Sequence, residues 1–90
     1  MKLTDAQVQE KLAQVLGWEL RGDEIHRMFA FADFKESMAF VNTVADIAES
    51  IDHHPDILIS YNKVQLSVST HSEGGLTDLD FELAAKVNAI

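Results

Sequence analysis

Imidazole is the side chain whose unperturbed pKa lets it both give and take a proton near neutral pH. Three of the four histidines in this 90-residue chain fall in one region. His53 and His54 stand in Asp52-His53-His54-Pro55, closed by the only proline, and His71 ends the polar, strand-like run that starts at Ser67. Asp80 follows downstream. Such a group suits acid–base work or metal binding. Adjacent histidines diverge in a strand, and zinc favours pairs such as His-x₃-His on one helix face, so the spacing speaks against a metal site. For acid–base work, consider a carbon bearing both a hydroxyl and a nitrogen. It expels water when an acid protonates the hydroxyl and a base removes the N–H proton. Histidines on two sides of that carbon could fill both roles, and positioned proton transfer is worth ~10²–10⁴-fold. A nearby carboxylate would orient one imidazole. On the residues alone, plain surface histidines remain the alternative.

The elements that must position these groups read in order. Thr4 and Gln7 have capping-box spacing, and Val8, Leu12, Val15 and Leu16 recur at helical period, which predicts a helix over residues 5–15 ended by Gly17. Trp18 to Arg21 and Glu24 to Ala32 read as strands joined at Gly22-Asp23, with Leu20 opposite Ile25 and Trp18 opposite Arg27. Asp33 and Glu36 start a second helix over residues 34–50, with two adjacent apolar rows, Phe34-Met38-Val41-Ala45-Ala48 and Phe40-Val44-Ile47-Ile51. A turn at Asn62-Lys63 would pair Tyr61 with Val64, Ile59 with Leu66 and Ile57 with Val68. Carried outward, that register places His54 opposite His71. Ser72-Glu73-Gly74-Gly75 is a flexible connection, and Thr77 to Asp80 opens a last helix through Leu79, Leu83, Val87 and Ile90. The order is αββαββα: one α+β domain over residues 1–90, with a four-stranded antiparallel sheet and its helices packed on one face.

Composition narrows the function classes. With no cysteine, disulfides and thiolate metal sites are excluded. The net charge of −8 argues against direct nucleic-acid binding, which wants a basic footprint. Residues 1–7 lack an apolar signal core, and no apolar run reaches the ~18 residues of a membrane helix, so a cytoplasmic protein is expected. A hydrophobic content of 47% leaves apolar surface for a subunit interface in so small a domain.

The motifs together resemble the pterin-4a-carbinolamine dehydratase family. Its signature is an acidic or related residue, three residues, His-His-Pro, five residues, an aromatic, nine residues, His, then Asp eight or more residues on; Glu49, His53-His54-Pro55, Tyr61, His71 and Asp80 meet each spacing. Gly17-Trp18, Phe29-Ala30-Phe31, Asp33-Phe34, Tyr61-Asn62-Lys63-Val64 and Ser69-Thr70-His71 also resemble the family. The chain departs from it at Ile57, where relatives often carry tryptophan.

The resemblance implies dehydration of 4a-hydroxytetrahydropterin to quinonoid dihydropterin, in tetrahydrobiopterin recycling for an aromatic amino-acid hydroxylase pathway. The pterin would sit between His53-His54-Pro55 and Thr70-His71-Ser72-Glu73. His53 and His71 would transfer protons, with either as acid or base; His54 would hold the pterin and share in the chemistry. Asp80 would orient an imidazole, and Glu49 would lie near the pocket. No metal or organic cofactor is implied, and a homodimer or homotetramer is. Two other functions fit the same resemblance: a protein-binding module acting as dimerisation cofactor of a transcription factor, and a non-catalytic pterin binder. Several residues also have plain readings. Asp80 can serve the helix start at Thr77, Glu49 can be a solvated helix residue, and Tyr61 shares the core parity of Ile57 and Ile59. His26 is structural or exposed, and Trp18 is packing.

Overall fold

The computed structural model describes residues 1–90, which run α1 (Asp5–Leu12), β1 (Glu19–Arg21), β2 (Glu24–Ala30), α2 (Phe34–Ile51), β3 (Asp56–Ser60), β4 (Lys63–Val68), a 3-10 turn (His71–Glu73) and α3 (Asp78–Asn88). The anticipated αββαββα order holds. Helix starts follow the capping residues: Thr4 accepts from the Gln7 N–H at 3.2 Å while Gln7 Oε1 accepts from the Thr4 N–H at 2.9 Å, and Asp33 Oδ1 accepts from the Glu36 N–H at 2.9 Å. α1 stops short of its expected end, because from Gln14 the backbone tightens to bonds three residues back. β2 also ends early, since the Ala32 N–H donates to Glu36 Oε1 at the α2 cap. No helix is long and apolar enough to cross a membrane.

The sheet is antiparallel in the order β1-β2-β4-β3. Ile25, Val64, Leu66 and Val68 join Val8 of α1, Val44 and Ala48 of α2, and Leu83, Ala84 and Val87 of α3 in a single buried cluster. All three helices therefore cover one face. Ile25, Leu66, Leu83 and Val44 are fully buried, each side chain contributing roughly 1.5–3 kcal/mol by leaving water. The uncovered face carries Met28, Gln65 and Leu58 in one cross-strand row.

Leu20 pairs with Ile25 as expected. Trp18 precedes β1 and meets Arg27 through a third residue, since Trp18 Nε1 and Arg27 Nη1 both donate to Asn88 Oδ1, at 2.9 and 2.7 Å. The Arg27 guanidinium also lies where a Cβ on Gly17 would stand, 2.6 Å away, and Gly17 has φ +87°. Only glycine fits that turn.

The second hairpin differs from expectation by two residues. Its loop is Tyr61-Asn62, and the pairs are Ile59–Val64, Ile57–Leu66 and Asp56–Ser67. A two-residue shift preserves side-chain parity, so local alternation cannot detect it. The deciding contact is long-range: Asn62 continues β4 against the end of β2, its carbonyl accepting from the Phe31 N–H at 2.8 Å and its Nδ2 donating to Phe31 O at 3.1 Å. Tyr61 is thereby left at the loop with φ +51°, in the left-handed region, and exposed, contrary to its core assignment. The ladder ends before the histidines, with β3 beginning at Asp56 and β4 ending at Val68, so His54 and His71 are not a cross-strand pair.

Candidate active site

The two adjacent histidines owe their divergence to how α2 ends. Asp52 takes φ 50°, ψ 45°, the left-handed conformation that commonly stops a helix, and the His53 N–H reaches back to Ala48 O at 3.0 Å. The chain reverses within one residue. His53 turns inward, its side chain 12% exposed, and His54 turns outward at 53%.

Each then meets a carboxylate. His54 Nε2 lies 2.5 Å from Glu49 Oε2 at the surface, a pair formed across the reversal at the end of α2. His53 Nε2 lies 2.6 Å from Asp80 Oδ1, and Asp80 is fully buried. Asp80 stands in the first turn of α3, where the helix macrodipole favours negative charge. Its Oδ2 accepts from the Thr77 N–H at 2.8 Å and from Thr70 Oγ1 at 2.9 Å. The two oxygens are divided between the helix start and the imidazole: Oδ2 meets the Thr77 N–H and Oδ1 meets His53.

No buried side-chain nitrogen or oxygen lacks a hydrogen-bond partner. His53 Nδ1 has no partner in the chain and is not fully buried, so it keeps some contact with solvent. The ring is held at one nitrogen and open at the other, the geometry of a positioned proton donor or acceptor.

Thr70, expected against the pterin, is turned inward. Its hydroxyl bonds Asp80 and Thr77, its N–H donates to Gly75 O at 2.9 Å, and its carbonyl accepts from the Glu73 N–H at 3.0 Å. It connects the two halves of the site, because the exposed His71 and Ser72 follow it directly in the 3-10 turn. Glu73 is exposed and lies 3.4 Å from the N-terminal ammonium group. Pro55 is half-buried beside His54. Thr77, whose hydroxyl and N–H both enter the Asp80 network, lies outside the expected set of site residues; its capping-box spacing to Asp80 is the one signal for it in the sequence. No three His, Asp or Glu side chains are grouped as ligands for one ion.

The sequence profile described as Pterin 4 alpha carbinolamine dehydratase matches residues 1–90. The chain belongs to that family. A protein of Sulfurisphaera tokodaii, provisionally named a pterin-4-alpha-carbinolamine dehydratase, is 48% identical over 89 residues, covering 99% of this chain and 96% of its own. A relative of Acidobacterium capsulatum with the same provisional name is also 48% identical, over 99% of this chain and 97% of its own. The family's activity is that of a hydro-lyase. Among solved structures, a Brucella melitensis protein described as a transcriptional coactivator/pterin dehydratase superposes with a TM-score of 0.94 at 40% identity, covering 99% of this chain and 97% of that one. A pterin dehydratase-like protein described as a RuBisCO assembly factor of the α-carboxysome shares the fold, with a TM-score of 0.65 at 22% identity over 80% of this chain and 83% of that one.

Proposed function

We propose that the chain dehydrates 4a-hydroxytetrahydropterin to quinonoid dihydropterin, acting as a homo-oligomer in tetrahydrobiopterin recycling. The observation that carries this reading is the part-buried contact of His53 with Asp80, with Nε2 2.6 Å from Oδ1 and Nδ1 left open. It occurs at the His-His-Pro position of the family signature.

The reaction breaks the C4a–O bond with both electrons leaving on oxygen, which takes a proton and departs as water. The N5–H bond supplies the pair for the new C4a=N5 bond as a base removes its proton. No electrons pass to an acceptor, so the chemistry requires an acid and a base and no redox partner. His53 and His71 fill those roles, worth ~10²–10⁴-fold together with their placement. Asp80 opposes the positive charge on His53 whenever that ring carries a second proton. His54, held by Glu49, grips the pterin beside Pro55, and Ser72 and Glu73 border the opposite side. The oligomer uses the β3 edge, where Ile57 and Leu58 stand 37% and 63% exposed on a strand with one unpaired side.

The test is the rate at which freshly generated 4a-hydroxytetrahydropterin yields quinonoid dihydropterin, followed by absorbance. Acceleration over buffer is expected. A folded protein that leaves the spontaneous rate unchanged would remove the dehydratase reading and favour pterin binding without turnover.

A further inference from the structure

We infer that Lys2 and Gly75 are positioning residues for His71: the aliphatic stem of Lys2 lies where a side chain at 75 would stand, and this contact steadies the base of the turn that carries the histidine. The kinetic half of this inference rests on the dehydratase reading; the ordering of the turn does not.

No side chain of the 3-10 turn is buried, and His71, Ser72, Glu73 and Gly74 are all exposed. Its order therefore rests chiefly on backbone bonds. Two lie within it, from the Glu73 N–H to Thr70 O at 3.0 Å and from the Gly74 N–H to His71 O at 3.1 Å. Two more close its base, where Thr70 and Gly75 form an isolated antiparallel bridge. There the Thr70 N–H donates to Gly75 O at 2.9 Å and the Gly75 N–H to Thr70 O at 3.4 Å. Segments with exposed backbone bonds and few buried contacts open easily, so whatever covers this bridge decides how firmly His71 is held.

The cover comes from residues 2 and 3. The Leu3 N–H donates to Leu76 O at 2.8 Å and the Leu3 side chain packs against the core, which lays Lys2 along Gly75. Gly75 is buried, yet its φ is not positive, so its backbone conformation does not demand glycine. Space does. A Cβ at 75 would stand 2.7 Å from Lys2 Cε and 3.2 Å from Lys2 Cδ. The stem is the flexible partner, so a methyl group there would push it off the bridge. The Lys2 ammonium enters no ion pair, which leaves the apolar stem as the part that makes the contact.

The test is amide hydrogen exchange beside steady-state kinetics for Lys2→Ala, Lys2→Met, Gly75→Ala and the Lys2→Ala/Gly75→Ala double variant. Lys2→Ala and Gly75→Ala should each speed exchange at Thr70, Glu73 and Gly74 about 3–10-fold while the β4 amides keep their protection. Alanine for glycine at an ordinary φ otherwise stabilises, so loosening at 75 is specific to the displaced stem. In both variants kcat should fall about 3–10-fold, because a looser His71 spends less time placed for proton transfer. The double variant should be no worse than either single one, since both remove the same contact. Lys2→Met, which keeps an unbranched stem without the charge, should restore exchange and kcat together. A folded Lys2→Ala with wild-type exchange at the turn, or with unchanged kcat, would overturn the inference. So would exchange that quickens equally in β4, additive losses in the double variant, or a Lys2→Met protein as loose as the alanine one. The expected exchange pattern in a protein whose wild type has no turnover would instead overturn the dehydratase reading and leave the ordering of the turn standing.

Discussion

Replacing Asp80 by Asn tests whether this carboxylate does more than start a helix. The amide has the same size, and one orientation satisfies the cap: its oxygen takes the Oδ2 position and accepts from the Thr77 N–H and Thr70 hydroxyl. Its NH₂ then faces His53 Nε2 from the Oδ1 position. Two donors cannot share that bond, so the ring moves its proton to Nδ1 and presents a donor where the lone pair had been. The negative charge opposing the imidazolium is lost as well. In a Ser-His-Asp triad the same exchange lowers kcat ~10⁴-fold by setting the wrong tautomer. Here we expect a fall of ~10²–10⁴-fold, the full worth of the positioned transfer. Stability should change much less. The charge-assisted bonds become neutral ones, a difference of about 1–2 kcal/mol, or roughly 4–16 °C in Tm for a domain of this size. Asp80→Ala, by contrast, orphans donors around a fully buried site and should cost about 3 kcal/mol or more. The assay is pterin turnover beside thermal unfolding followed by circular dichroism. An Asp80→Asn protein that melts as expected and retains kcat within about 3-fold would show that Asp80 serves only the helix.

Other perturbations separate scaffold from chemistry. Leu66→Ala, at a fully buried position on β4, should destabilise by about 2–5 kcal/mol in urea unfolding while any folded fraction keeps its KM. Asp52→Gly relieves a left-handed residue at the α2 end and should stabilise by up to about 1 kcal/mol, with kcat unchanged. Glu49→Gln breaks an exposed pair with His54; stability should move by less than about 1 kcal/mol, and the effect should fall on KM in steady-state kinetics more than on kcat.

Much of this architecture is written in local pattern. The α2 boundaries follow from Asp33, Glu36 and two apolar rows, and the first hairpin from Gly22-Asp23, because caps and tight turns are decided within a few residues. The second hairpin escaped by two positions because alternation fixes parity and nothing more. The Asn62–Phe31 bonds that settle it join residues 31 apart in the chain. The expected facing of His54 and His71 failed for the same reason, compounded by the early end of the ladder. At the site, spacing singled out His53 and Asp80 but left the role of Asp80 divided between cap and orienter. Only the folded chain shows its two oxygens pointing to different tasks. Thr70 adds a contact that spacing does not show: its hydroxyl meets Thr77 and Asp80 only because α3 arrives beside the end of β4.

The most direct test of the account is the kcat of His53→Ala, measured on protein whose circular dichroism matches wild type. The account predicts a fall of ~10²–10⁴-fold with KM changed little, because the substitution removes proton transfer and leaves the His54 and Pro55 side of the pocket in place. A folded His53→Ala protein that dehydrates 4a-hydroxytetrahydropterin at the wild-type rate would contradict it.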